Sequence, residues 1–232
     1  WAHYLDPNRE ARKETKAFFT GTLLHTDILE PGMIEKKYIV LPADAPSKDC
    51  LRHRNAKAPS ADTLKNIAWW DDWNLKYPDK IIIDAPLWDR AQRIRDRVMN
   101  HPAARWILDR PAITEQPHTW DDLRTGAPCK CMPDRRLHED YMLIDLKSTE
   151  DASPEGFSKS VVNYRYDVQG AFYMDGFDSG PDPIRHDDFI FIAVEKEPPF
   201  AVGVYRLPDE AIKFGREKYL RNLATYMECR ET

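Results

Sequence analysis

The chain has 232 residues, of which 42% are hydrophobic and 31% charged, with a formal net charge of −5. That length suits one substantial core, and the balance is that of an ordinary globular chain rather than a disordered or fibrous one. No stretch approaches the roughly 18 apolar residues of a membrane helix, and none reads as a secretory leader. Four cysteines, at positions 50, 129, 131 and 229, are too scattered for a disulfide framework and point to a reducing, cytoplasmic setting. Cys129 and Cys131 lack zinc-site spacing and a second pair, so they read as strand residues.

In chain order, residues 9 to 29 read as a helix that turns apolar at Leu23, Leu24, Ile28 and Leu29 and ends at Pro31-Gly32. Lys37 to Leu41 is a short strand candidate, followed by a polar loop to Pro59. Ser60 caps a second helix over 61 to 76, whose Trp69, Trp70 and Trp73 are core residues or a base-stacking surface. Ile81 to Ile83 reads as a strand turn before a third helix, 86 to 100. From 113 the pattern changes to strands, at 113 to 120, 127 to 135 and 140 to 148. Ser153 and Pro154 then start a long helix, 154 to 177. Two strands, Phe189 to Val194 and Ala201 to Leu207, precede a closing helix from Asp209 to Glu228. This order predicts an α/β (mixed α+β) fold, a central mixed sheet flanked by helices. The chain reads as one domain over 1–232, mainly helical in 1–110, with the strands and chemistry in 111–232.

The chemistry concentrates between residues 133 and 147. In Tyr141-Met142-Leu143-Ile144-Asp145-Leu146-Lys147, alternation puts Met142, Ile144 and Leu146 on one face and Leu143, Asp145 and Lys147 on the other. Side chains two apart on a strand stand about 6.6 Å apart along it, so Asp145 and Lys147 project side by side. A hairpin turning near His138 to Asp140 would set Asp134 opposite Asp145. Facing carboxylates with Cβ atoms about 5 Å apart repel, and a divalent cation turns that repulsion into a binding site. Downstream, Gln169 and Tyr173 share a helix face, with Arg165 four residues earlier on the same ridge. The negative total charge argues against a uniformly basic nucleic-acid surface. Arg90, Arg93, Arg95 and Arg97 nevertheless crowd one helix, and Lys159 and Arg165 flank the candidate site, so an acidic exterior with a basic groove satisfies both facts.

Pro133-Asp134 … Asp145-Leu146-Lys147 resembles the signature of the PD-(D/E)xK nuclease superfamily. Gly21-Thr22-Leu23-Leu24-His25 and Gln169 … Tyr173 resemble the Gly-xxx-His and Gln-xxx-Tyr signatures of the branch that includes RecB domains and lambda exonuclease. Gly-Thr-Leu-Leu-His with Leu29-Glu30-Pro31, Cys129 to Asp134, and Tyr164 to Gln169 resemble the RecE-type phage exonucleases. The likeness spans about residues 18 to 225.

The resemblance implies a restriction-endonuclease-like core and a 5′→3′ exonuclease on double-stranded DNA. Such enzymes leave 3′ single strands for an annealing protein and form rings, here of three or four subunits, in a phage or prophage setting in the bacterial cytoplasm. One departure is that many family members carry a segment ahead of the position of Trp1 that this sequence lacks, so that part of the end-recognition apparatus is expected to lie outside it.

The residue types fit these roles. Asp134 and Asp145 offer hard oxygen ligands for Mg²⁺, with Mn²⁺ substituting. The family match makes His25 an imidazole ligand, and the Leu146 carbonyl is a backbone ligand. Gly21, one turn before His25, suggests a close backbone approach. Lys147 orients water and offsets transition-state charge. Arg165, Gln169 and Tyr173 would hold the DNA backbone, with Arg165 in a pocket for a 5′-phosphate. Competing readings are an iron–sulfur nuclease, for which only Cys229 follows the Gln-xxx-Tyr helix, a restriction-type endonuclease, and an inactive DNA-binding or recruiting module.

Overall fold

The structure, a computed structural model, describes residues 16–179 and 183–231. Helix α1 (Lys16–Leu29) buries Leu23, Leu24, Ile28 and Leu29, a stripe at helical spacing. A short α2 (Pro31–Lys37) leads into β1 (Tyr38–Val40). Pro31 therefore stops the first helix and also starts the next, since its missing N–H and fixed φ suit a first turn. Helix α3 (Ala61–Lys76) begins at Ser60, whose side chain accepts from the Thr63 N–H. Next come β2 (Ile81–Ile83), which pairs in parallel with β1, α4 (Ala85–Asn100) and α5 (Pro102–Leu108). Asp84 caps α4 by accepting from the Leu87 N–H, and the apolar stripe Ala91, Ile94 and Val98 packs in the same core as α1.

The strands are β3 (Ile113–Thr114), β4 (His118–Asp121), β5 (Pro128–Cys131), β6 (Arg135–Leu137), β7 (Met142–Thr149), β8 (Asp188–Glu195) and β9 (Val202–Arg206). Between β7 and β8 lie α6 (Pro154–Asn163) and α7 (Tyr166–Asp178), and α8 (Asp209–Glu231) closes the described chain. The central sheet has the order β3-β6-β7-β8-β9, with β7 and β8 parallel over eight residues and the other neighbours antiparallel. A parallel pair needs a crossover, and α6 and α7 provide it. Ile144, Leu146, Ile190, Ile192 and Val194 join the core formed with α1 and α4. Leu143, Phe189, Phe191 and Ala193 join the core formed with α6, α7 and α8. Each of these side chains except Ala193 contributes about 1.5–3 kcal/mol on burial, which seats β7 and β8 firmly between the two cores.

Four expectations change. The strand over 113 to 120 is two strands, interrupted at Glu115 (φ 47°) and Pro117, and that over 127 to 135 is two, interrupted around Pro133. The β4–β5 pair leaves the central sheet and lies on α7, where a Cβ added to Gly176 would stand 2.6 Å from the Trp120 ring. Only glycine admits that approach. The long helix after Ser153 breaks at Arg165, which takes a left-handed conformation (φ 58°, ψ 42°) between α6 and α7. Trp70 alone of the tryptophan cluster is core; Trp69 and Trp73 are half-buried and stack with ring centroids 5.1 Å apart. Residues 9 to 15 of the first expected helix lie outside the described residues.

Candidate active site

The hairpin places the site. β6 pairs Arg135 with Ile144 and Leu137 with Met142, and the chain turns over residues 138–141. Asp134 is one residue past the last rung, next to Pro133, which has no N–H to extend the ladder. Its carboxylate replaces the missing backbone partner: Oδ2 accepts from the Leu146 N–H at 2.6 Å. Asp134 and Asp145 thus approach as the spacing predicted. Burial, then the Asp145 charge, pushes the Asp134 carboxyl well above the usual carboxylate range.

Asp145 is 2% exposed. This is no solvated strand face, and an isolated buried carboxylate costs several kcal/mol unless charge or hydrogen bonds compensate. Oδ1 accepts from Gln169 Nε2 at 2.5 Å, and Lys147 Nζ lies 2.7 Å from Oδ2. That lysine contact is a close ion pair whose angle leaves Oδ2 without an aligned hydrogen bond. Burial draws the Lys147 pKa down, but Asp145, aided by Asp134, outweighs it and leaves the ammonium raised above its ordinary value. Lys147 also sits 4.7 Å from the centre of the Tyr166 ring.

His25 enters from α1. Its Nε2 lies 2.8 Å from the Leu146 carbonyl oxygen, which can only accept, and its Nδ1 is 3.6 Å from Asp134 Oδ2. Burial lowers the imidazole pKa against the opposing pull of Asp145, so the ring stays neutral at neutral pH. Gly21 does not serve a close backbone approach, because a Cβ there would meet only Ser148 Oγ at 3.9 Å. Near His25, Asp27 is 2% exposed and accepts from Gln92 Nε2 of α4 at 2.9 Å, a polar clamp between α1 and α4.

The structure thus brings His25, Asp134, Asp145, Leu146, Lys147, Gln169 and Tyr173 together. Gln169 is spent on Asp145, and Tyr173, one turn further along α7, is half-buried beside it, where burial and then the Asp145 charge push its phenol pKa up. In this structure the Gln169 amide faces the Asp145 carboxylate. Arg165 departs from expectation. It does not continue a ridge with Gln169 and Tyr173, because the helix breaks there. Its exposed guanidinium donates to the Asn222 side-chain oxygen at 3.2 Å, with that amide oriented to suit. Two neighbours escaped the sequence reading. Glu115 is half-buried, donates its N–H to the Asp134 carbonyl, and acts electrostatically on both His25 and Asp134. Tyr166 lies under Lys147. Glu115 sits in what read as a strand, so periodicity carried no signal for it.

The donor set fits a divalent cation. The two buried carboxylates repel each other, one buried oxygen lacks an aligned donor, and an uncharged imidazole and a carbonyl stand beside them. His25 Nε2 and the Leu146 oxygen lie 2.8 Å apart, and because Nε2 carries the proton in this contact, the neutral ring would have to shift it to Nδ1 before Nε2 could ligate an ion. Among the described residues no three His, Cys, Asp or Glu side chains already converge as a ligand cage. Asp145 faces Lys147 and Gln169 instead, so an ion would draw its carboxylate away from Lys147.

A mixed sheet with a carboxylate on each arm of a hairpin, a lysine two residues on and a helix-borne histidine defines the PD-(D/E)xK class. The chain belongs to the family described as PDDEXK-like domain of unknown function (DUF3799), which it matches over residues 2–232. No curated protein matches it significantly. Among solved structures it resembles a protein from Eubacterium rectale named an exonuclease by inference, with 14% identity, a TM-score of 0.56, and coverage of 95% of this chain and 68% of that one. This likeness bears on the fold. An alkaline exonuclease from Laribacter hongkongensis also matches, with 14% identity over 91% of this chain and 96% of that one, but its TM-score of 0.30 carries no argument. PD-(D/E)xK nucleases generally use divalent metal ions. No helix among the described residues is long and apolar enough to cross a membrane.

Proposed function

We propose that the chain is a divalent-metal-dependent exodeoxyribonuclease that digests one strand of linear double-stranded DNA from its 5′ end and leaves 3′ single strands. The observation that carries the hydrolytic part is the buried Asp134–Asp145 pair with Lys147 and His25 around it. The preference for ends and the polarity rest on the resemblance to RecE-type exonucleases, with which the name of the Eubacterium rectale structure agrees. Mg²⁺ is the proposed ion, with Mn²⁺ substituting, held by Asp134, Asp145, His25 and the Leu146 carbonyl.

A bound ion of this kind polarises the phosphate and lowers the pKa of water. The chain's own residues do the rest. Asp134 is braced by the Leu146 N–H and Asp145 by Gln169, braces that would steady the two carboxylates once an ion had drawn Asp145 away from Lys147. Gln169 and Tyr173 are positioning residues in this account. Lys147 remains an ammonium at neutral pH, which suits it to donate to the non-bridging phosphate oxygens and to orient the attacking water rather than to take a proton. The apolar layers on both faces of β7 and β8 keep these groups out of bulk water and strengthen their electrostatics.

The same reading gives the enzyme a single-strand annealing partner and a ring of three or four copies that turns basic grooves inward on an otherwise acidic chain. It places the protein in the cytoplasm of a bacterial host. Arg165 with neighbouring basic residues would read a 5′-phosphate, provided its guanidinium leaves Asn222. The test uses linear duplexes labelled at the 5′ or the 3′ end, with 5′-phosphate or 5′-hydroxyl termini, beside covalently closed circles. Early loss of the 5′ label, faster on phosphorylated ends, with circles untouched, is the expected result. Early loss of the 3′ label, or cutting of circles, would replace this reading with a 3′ exonuclease or a restriction-type endonuclease.

A further inference from the structure

The break between α6 and α7 builds an aromatic step beside Lys147. On an unbroken helix, residues two apart point to opposite sides. Here Arg165 in the left-handed region swings Tyr164 and Tyr166 onto one side, with ring centroids 5.6 Å apart and planes 29° from parallel. Tyr166 is the fixed member. It packs near Phe157 and Phe191 at centroid distances of 6.2 and 5.5 Å, and it carries Lys147 at 4.7 Å. Tyr164 is the free member, 70% exposed, and extends the stack from the core into solvent.

The conformation that makes this pair has a cost of about 1 kcal/mol at a non-glycine residue. Burial of Tyr164 does not offset it, because most of that ring remains in water. The exposed Arg165 guanidinium at the junction reaches Asn222 when that amide is turned to suit, and the open ring face of Tyr164 stands beside it. A ring face one ring removed from the lysine that serves the scissile phosphate is placed to meet a nucleobase.

We propose that Tyr164, backed by Tyr166, is a stacking platform for the base of the nucleotide adjoining the scissile phosphate. The proposal rests on the nuclease reading above and specifies how that site grips its substrate. Stacking on an aromatic ring is tolerant of base identity, as an enzyme that digests arbitrary sequence requires. It also gives each newly exposed terminal nucleotide the same contact after the previous one has left.

Fluorescence anisotropy of labelled short duplexes, with Ca²⁺ supplied so that binding can be read without turnover, provides the test. Wild-type protein, Tyr164→Ala and Tyr164→Phe are compared on duplexes whose 5′-terminal nucleotide is intact or abasic. Wild type should bind the intact end roughly tenfold more tightly than the abasic end, and Tyr164→Phe should keep that preference. Tyr164→Ala should lose roughly tenfold on the intact end and nothing on the abasic end, so that the two substrates become equal. An equal loss on both ends, or wild-type affinity in Tyr164→Ala, would overturn the platform. Base-dependent binding by a wild-type protein that digests nothing in Mg²⁺ would sustain the platform while removing the nuclease reading. Failure of wild type to bind duplex ends at all would remove both.

Discussion

The β6–β7 hairpin and the α6–α7 junction both border Lys147, and they reach it by opposite routes. The hairpin uses regular geometry: alternation along β7 aims Asp145 and Lys147 the same way, and an antiparallel register brings Asp134 across. The junction uses an irregularity, one left-handed residue that stacks Tyr164 on Tyr166 and starts α7 at the angle that carries Gln169 to Asp145. Regular geometry fixes the charged groups tightly because Asp145 and Lys147 rest on a strand buried on both faces and Asp134 is tied to that strand through the Leu146 N–H. The junction leaves one ring exposed, at the place where a substrate must be accepted and released.

The largest expected effect is on the hairpin. Asp145→Ala and Lys147→Ala should each lower kcat at least about a hundredfold while circular dichroism shows the fold retained. Gln169→Ala, which acts through Asp145, should lower it by about tenfold. A Gln169→Ala defect as deep as that of Lys147→Ala would show that the two regions do not divide the work in this way.

His186 lies between the hairpin and the C-terminal end of α7. It is 4% exposed beside Phe177 of α7, among the charges of Arg136 and His138 from the hairpin and Asp187, and burial draws its pKa down to about 4. The folded protein therefore binds fewer protons than the unfolded chain between pH 6.5 and about 4. Stability is held above that window and falls as pH drops through it. His186→Leu should reduce the loss between pH 7 and pH 4 by up to about 3 kcal/mol, measured by urea unfolding at both values. An unchanged pH dependence would remove His186 from the account.

Next in size is the seat of α7. A Cβ at Gly215 would stand 2.1 Å from the Asp167 carbonyl oxygen, a backbone atom that cannot turn aside, in a crossing also held by the Lys218–Asp167 ion pair. Gly215→Ala, normally favourable within a helix, should here destabilise by about 1–3 kcal/mol and weaken Gln169's hold on Asp145. A gain in stability would show that the helices do not meet so closely. The smallest effect tests the break itself. Arg165→Gly should be about 1 kcal/mol more stable than Arg165→Ala, because glycine tolerates positive φ. A regular helical position would give the opposite order.

The difference between the two regions also explains what the sequence could show. Period-two alternation around Asp145 and the turn near His138 to Asp140 made the hairpin and its facing carboxylates legible before any coordinates. Ser153-Pro154 likewise announced the start of α6, and Ser60 that of α3. The break at Arg165 left no such trace, since arginine is a good helix former and neither proline nor glycine marks the position. Glu115 was hidden for a related reason, because β3 is only two residues long and its end is set by pairing with β6. The contact of Gln169 with Asp145 was not legible because a helix face shows which residues share a side, not what that side touches.

The measurement that bears most directly on the central claim is the release of acid-soluble nucleotides from linear duplex DNA, with Mg²⁺ or with excess chelator. The account predicts steady release with Mg²⁺ or Mn²⁺ and none in chelator. Release that persists in chelator, or no release with either ion, would contradict a metal-dependent centre built on Asp134 and Asp145.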